Sequence, residues 1–140
     1  MVHGRSRFGN LIDVKEIRLI ISALRGSGRL WFGPDQDKGL RGSVFSTFFN
    51  VPAATVKTPA RLARVTRVPV YFVGFRRKFL TYEMRLERFP SNYPSDDEVL
   101  NADILNQFIE RAIERDPSQY MWFHRRFKTQ PAAPRYSLYK

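Results

Sequence analysis

The sequence predicts an α/β fold, a mixed sheet flanked by helices, and three observations point there. Runs of aromatic and β-branched residues alternate along the chain with stretches of helical periodicity. Two acidic capping patterns, at Asp13 and Ser95, each open an apolar stripe. The 140 residues are 43% hydrophobic and 26% charged, which is globular composition and about one domain in length.

Asp13-Val14-Lys15-Glu16 reads as a capping box with Asp in place of Ser or Thr, and Val14, Ile17, Ile20, Ile21 and Leu24 form the stripe behind it. A helix is predicted over about 14–25, closed by Gly26 in a left-handed cap. Leu30-Trp31-Phe32 predicts a short buried strand that Gly33-Pro34 stops. Asp35-Gln36-Asp37-Lys38-Gly39 then stands at its carboxyl end, where open α/β sheets bind ligands. Residues 44–49 are a second β-like run. Thr58 and Pro59 suit a helix start, with Ala60, Leu62, Ala63 and Val65 as its small-residue face.

Residues 68–75 predict a strand, Arg76-Arg77-Lys78 the turn after it, and residues 81–89 a half-exposed strand. In that last strand Tyr82, Met84 and Leu86 alternate with Glu83, Arg85 and Glu87. A loop over 90–94 precedes Ser95-Asp96-Asp97-Glu98, the second capping box. The helix it opens carries Leu100, Ile104, Leu105, Phe108, Ile109, Ala112 and Ile113 on its inner face and ends near Asp116-Pro117. One domain over 1–130 and a tail over 131–140 are expected.

The charge is +11, and it is lopsided: residues 1–90 hold 17 basic and 6 acidic side chains, while 91–140 hold 7 of each. A negatively charged partner is expected on the surface made by the first 90 residues, whether nucleic acid, anionic lipid or an acidic protein. With no cysteine, a disulfide framework, a Cys-ligated metal and thiol catalysis are all excluded. The longest apolar run, 68–75, is broken by Pro69 and Gly74 and falls well short of the ~20 residues of a membrane span. The first ten residues lack the apolar region of a signal peptide, so neither a span nor Sec export is expected of these 140 residues.

Two histidines, His3 and His124, offer no metal-ligand spacing. Asp35 and Asp37 could hold a divalent ion against a diphosphate, or could cap a turn and pair with a neighbouring arginine. The glycines at 39 and 42 do not fit a Walker phosphate loop. Basic residues interleave with aromatics at 75–79 and 122–128, a pattern that suits single-stranded nucleic acid or lipid phosphates, and equally a core. No ribonucleoprotein, KH or helix-turn-helix signature accompanies it.

Three stretches carry more. Leu30-Trp31-Phe32-Gly33-Pro34-Asp35-Gln36-Asp37-Lys38-Gly39 is like W-Y-A-P-D-[QH]-D-x-G. Gly42-Ser43-Val44-Phe45, Phe48-Phe49, Val51-Pro52-Ala53-Ala54-Thr55 and Leu62-Ala63-Arg64 form the second. Pro117-Ser118-Gln119-Tyr120-Met121-Trp122-Phe123-His124-Arg125-Arg126-Phe127-Lys128-Thr129 is near P-E-Q-Y-x-W-x-H-R-R-F-K-T. In order and spacing these resemble the late acyltransferases of lipid A biosynthesis, the lauroyl/myristoyl transferase family within the lysophospholipid acyltransferase superfamily.

The resemblance implies an acyltransferase-like fold and the transfer of a fatty acyl chain from acyl carrier protein to a hydroxyl of a Kdo-bearing lipid A precursor. It implies action at the cytoplasmic face of the inner membrane of a Gram-negative bacterium, against a membrane surface. No metal, dissociable cofactor or nucleic acid is implied. In the family a histidine in H-x-x-x-x-[DE] is the general base. Position +5 from His3 is Phe8 and from His124 is Thr129, so neither forms the motif and no catalytic residue is expected within this chain.

The chain therefore reads as an incomplete, C-terminal half of such an enzyme, inactive alone, with the base and the membrane anchor expected upstream. An exposed sheet edge and apolar face are expected with it. Carried over by the resemblance are Arg5 or Arg7, for a phosphate or a developing oxyanion, and Asp35 or Asp37, for holding the arginine or the acceptor. Trp122, His124, Arg125, Arg126 and Lys128 belong to the C-terminal motif. The residues alone also admit a basic module that binds anionic lipid or nucleic acid without catalysis, and an Asp-x-Asp metal enzyme acting on phosphates or sugar nucleotides.

Overall fold

A computed structural model describes residues 9, 11–13, 15–131 and 139. Three helices, α1 (Ile17–Arg25), α2 (Thr58–Thr66) and α3 (Glu98–Arg115), accompany four strands, β1 (Ser43–Phe48), β2 (Val51–Val56), β3 (Tyr71–Lys78) and β4 (Thr81–Arg88). Two 3-10 turns, Pro117–Gln119 and Trp122–His124, follow α3. Among the described residues no helix is long and apolar enough to cross a membrane.

The strands form two separate antiparallel pairs, β1–β2 and β3–β4, which corrects the single mixed sheet predicted from the alternation. The cause lies in the connections. Each pair is joined by two residues, 49–50 and 79–80, and so short a link can only turn the chain back on itself. Parallel neighbours need a crossover of roughly a dozen residues or more. In the first hairpin Phe49 and Asn50 have φ of 48° and 61°, as a type I′ turn requires. Phe49 bears that strain because its N–H donates to Glu110 Oε1 (2.7 Å) and its ring packs edge-on to Phe48.

Leu30-Trp31-Phe32 is also corrected. The segment pairs with no strand, and Trp31 is 73% exposed. Aromatic and branched residues report a fit to a pleated, half-buried surface, and here no neighbouring strand provides one. The start of α1 lies later than predicted: Asp13 accepts the Lys15 N–H (2.8 Å), while Glu16 stands at the cap position without a side-chain bond. The left-handed residue after α1 is Ser27 (φ 65°), not Gly26. Gly28 is the glycine that matters there, because a Cβ on it would stand 2.5 Å from the Ala23 carbonyl oxygen.

The main core lies where α3 crosses β1, and it is built from Phe48, Ala53, Ala60, Phe89, Tyr93, Leu105, Phe108, Ile109 and Ile113. Phe89 stacks on Phe108 with centroids 4.4 Å apart. A smaller cluster, Ile20, Leu24 and Leu62, seats α1 on α2. The helix predicted after residue 95 is α3, capped by Asp97, whose carboxylate accepts from Val99 N (2.8 Å) and Leu100 N (3.1 Å). Ser95, the predicted cap, instead exchanges two 2.8 Å bonds with the Asn101 side chain.

Arg76-Arg77-Lys78, predicted as a turn, completes β3, and the turn is Phe79-Leu80. Glu83 explains the extension. Its carboxylate accepts from Lys78 Nζ across the hairpin (2.8 Å) and from Arg85 Nε (3.1 Å), which together lower its pKa from 4.5 to about 2. A depressed carboxylate contributes stability above its ordinary pKa and loses it as pH falls through the folded value. The Glu83 carboxyl should therefore titrate by NMR with a midpoint near 2, and added salt should move that midpoint back toward 4.5. A midpoint of 4.5 at low salt would mean that the pairing does not persist in solution.

Candidate functional site

The loop at 33–39 and the segment at 117–129, separated by some eighty residues, meet through Asp37. Gly39 adopts φ 83°, which folds the loop so that its N–H reaches Asp37 Oδ1 (2.8 Å). The same oxygen accepts from Thr129 Oγ1 (2.9 Å), and Oδ2 accepts the Thr129 backbone N–H (2.8 Å). Asp37 is only 5% exposed. A second tie joins Gln36 Nε2 and His124 Nε2 at 3.4 Å. The two acids of Asp-x-Asp thus do different things. Asp37 has both oxygens engaged as a latch, whereas Asp35 makes no hydrogen bond or salt bridge among the described residues.

Arg126 is 3% exposed and reaches into the first hairpin. Its Nη1 donates to the Ala54 carbonyl (2.7 Å), and its Nη2 to Thr55 Oγ1 (2.8 Å) and Asn106 Oδ1 (3.2 Å). The guanidinium lies 5.1 Å from the Phe48 ring centroid. Burial pushes its pKa down, while Tyr120, Asp37 and Asp35 oppose that shift. The group remains charged, since arginine starts so high. Asn106, fully buried, completes the network by donating to Ser46 Oγ (2.9 Å), the Thr47 carbonyl (2.9 Å) and Thr55 Oγ1 (3.0 Å).

Beside this network lies an open groove of about 1150 Å³ between the 28–35 loop, β3 and the inner face of α3. Its apolar lining includes Leu62, Val70, Phe72, Leu105, Ile109 and Ile113. Asp35, Asp116, Gln119 and Tyr120 add polar groups to that lining. The Tyr120 hydroxyl is buried with no partner among the described residues, and burial followed by the Asp35 charge raises its pKa. A mostly apolar concavity with a few polar groups is the usual form of a small-molecule site.

The other predicted residues are more peripheral. Trp122 is 54% exposed, and its Nε1–H donates to the Pro117 carbonyl (2.8 Å), tying the two 3-10 turns together. Arg125 takes a left-handed φ of 35° and lies over the Tyr139 ring, while Lys128 is exposed. Arg5 and Arg7 fall outside the described residues. Among the described residues no three His, Asp or Glu side chains gather as metal ligands. Ser46, Thr55, Asn106 and Tyr120 were not singled out from the sequence as site residues. Asn106 left a trace there, because it stands beside Leu105 on the stripe shared by Ala102, Ile109 and Ile113.

Comparison with known proteins is decisive. The family model described as bacterial lipid A biosynthesis acyltransferase matches residues 1–129. The chain belongs to this family. It is 37% identical over 132 residues to a lipid A biosynthesis palmitoleoyltransferase of Escherichia coli K12, covering 91% of this chain and 43% of that protein. It is 36% identical over 134 residues to the lauroyltransferase of the same organism, with the same coverage. A lipid A biosynthesis acyltransferase of Haemophilus influenzae is 34% identical over 142 residues, covering 97% of this chain and 45% of that one. The chain spans less than half the length of these relatives. The match to the lipid A acyltransferase family model runs to Thr129, the residue that Asp37 grips, so the latch lies inside it.

Proposed function

We propose that this chain supplies the acyl-binding and acceptor-facing part of an O-acyltransferase. That enzyme moves a fatty acyl chain from acyl carrier protein to a hydroxyl of a Kdo-bearing lipid A precursor, at the cytoplasmic face of the inner membrane. The observation that carries the reading is the open apolar groove with one uncommitted carboxylate, Asp35, in its lining, in a chain whose relatives are named for lipid A acyl transfer.

In the reaction the acceptor oxygen bonds to the acyl carbonyl carbon while the thioester C–S bond breaks. The hydroxyl proton passes to a general base, and the departing thiolate takes up a proton. The base belongs to the family's H-x-x-x-x-[DE] pattern, which these 140 residues do not contain. This chain's share is binding and orientation. Asp35 accepts a hydrogen bond from the acceptor or pairs with an arginine of the 5–7 stretch, and Asp37 acts through Thr129 to hold the segment beside it. The basic first 90 residues steer an acidic carrier protein and an anionic glycolipid toward the groove.

Two measurements test this. Fatty-acylated carrier protein should bind the chain at least about tenfold more tightly than carrier protein without an acyl group, since only the former brings apolar surface for the groove to bury. Asp35→Asn should leave the melting temperature unchanged while weakening binding of the lipid A precursor. Equal affinity for acylated and unacylated carrier would remove the groove's role. Reading the DNA in frame ahead of the Met1 codon tests the catalytic part: an H-x-x-x-x-[DE] there supports it, and a stop codon directly before Met1 overturns it.

A further inference from the structure

We propose that the β3–β4 hairpin is a membrane-docking element whose tip enters an anionic bilayer. The turn residues Phe79 and Leu80 are 97% and 84% exposed. By register, Tyr71, Val73, Phe75, Tyr82, Met84 and Leu86 share one face of the hairpin. Phe75, Tyr82, Met84 and Leu86 are each more than 60% exposed. The opposite face explains this. Phe72 packs on Phe108, Arg76 pairs with Asp116 (3.3 Å), and Glu87 pairs with Arg115 (3.5 Å). These contacts fix the hairpin to α3 and the turn after it; Tyr71, Val73, Phe75 and Leu86 line the groove, while the tip, with Tyr82 and Met84 behind it, stands clear of that lining.

The hairpin carries Arg76, Arg77, Lys78, Arg85 and Arg88 against Glu83 and Glu87, a net charge of +3, and by register Arg77 and Arg88 share the apolar face with Tyr82 and Tyr71. Arg77 and Arg88 form no salt bridge among the described residues. A contiguous exposed apolar patch marks an interaction surface. An apolar tip with a cationic collar matches the layering of an anionic membrane, where phosphates lie outside and hydrocarbon beneath. Single-stranded nucleic acid fits less well, because it needs a row of rings along a basic groove, and here Phe79 is followed by the aliphatic Leu80, with Met84 exposed behind the tip. The inference rests on the proposed function only in naming which part of the chain meets the membrane. Vesicle binding needs no acyl transfer, so the two readings fail separately.

The full chain should co-sediment with vesicles of equimolar phosphatidylglycerol and phosphatidylethanolamine but not with phosphatidylcholine vesicles. F79S/L80S should lower that affinity at least about tenfold with the circular dichroism spectrum and melting temperature unchanged. Because the chain has no cysteine, a fluorophore on Phe79→Cys reports the tip alone. It should shift to the blue and be quenched by brominated lipid, whereas the same dye on Gln107→Cys in α3 should not respond. Wild-type affinity in F79S/L80S, or a dye at the tip that stays in water, overturns the proposal. A lipid-free dimer that F79S/L80S converts to monomer, or preference for single-stranded DNA over the vesicles, overturns it as well.

Discussion

Arg126→Ala should lower the stability of the chain by about 3 kcal/mol, and its melting temperature by about 10 °C. The substitution removes three hydrogen bonds from a guanidinium that is 3% exposed, and the acceptors left behind cannot all be reached by water. Asn106 Oδ1 and Thr55 Oγ1 retain each other, but the Ala54 carbonyl loses the Arg126 donor. Arg126→Met should cost about half as much. It keeps the packing on Phe48, and it also removes a buried charge whose Nε has no partner among the described residues. Thermal unfolding of the two variants checks the order. If Arg126→Ala melted with the wild type, the guanidinium would not be anchoring the segment, and a direct ligand contact would have to be sought for it.

Asp37→Ala should cost about 2 kcal/mol, concentrated at 117–129. Three donors lose a charged acceptor, two of them on Thr129, while partial exposure of Gly39 and Thr129 lets water compensate in part. The sharper readout is local. Trypsin should cleave after Arg125, Arg126 or Lys128 several-fold faster, and the Thr129 amide should exchange sooner. Asp37→Asn should fall between, because it keeps one acceptor oxygen and sets an NH2 against an N–H donor. Asp35→Asn should leave both readouts unmoved. Equal proteolysis of Asp37→Ala and the wild type would refute the latch.

Comparison of the two acids shows where reading the sequence stops. Asp35 and Asp37 sit one residue apart in a loop, and nothing in the local pattern separates a latch from a free carboxylate. The difference arises from Thr129, 92 residues away from Asp37. Arg126 is a similar case. In sequence it is one cation within a basic and aromatic run, and only contact with Ala54 and Thr55, 72 and 71 residues away, reveals a buried structural group. Leu30-Trp31-Phe32 misled in the opposite direction, since strand-like composition cannot supply a partner strand.

By itself the sequence determined what short-range chemistry controls. The stripes behind residues 14, 58 and 98 made α1, α2 and α3, and the alternation over 81–89 made β4. The long C-terminal motif marked the family that comparison then established. The tertiary structure decided which strands pair, which face of β3–β4 meets the body, and which of two neighbouring acids is committed. Helical and β periodicities are set by residues a few positions apart and so are written locally. Pairing, burial of Asn106 and Arg126, and the outward turn of the hairpin depend on residues brought together from distant parts of the chain. Those contacts exist only once the core around Phe48, Phe89 and Phe108 has formed.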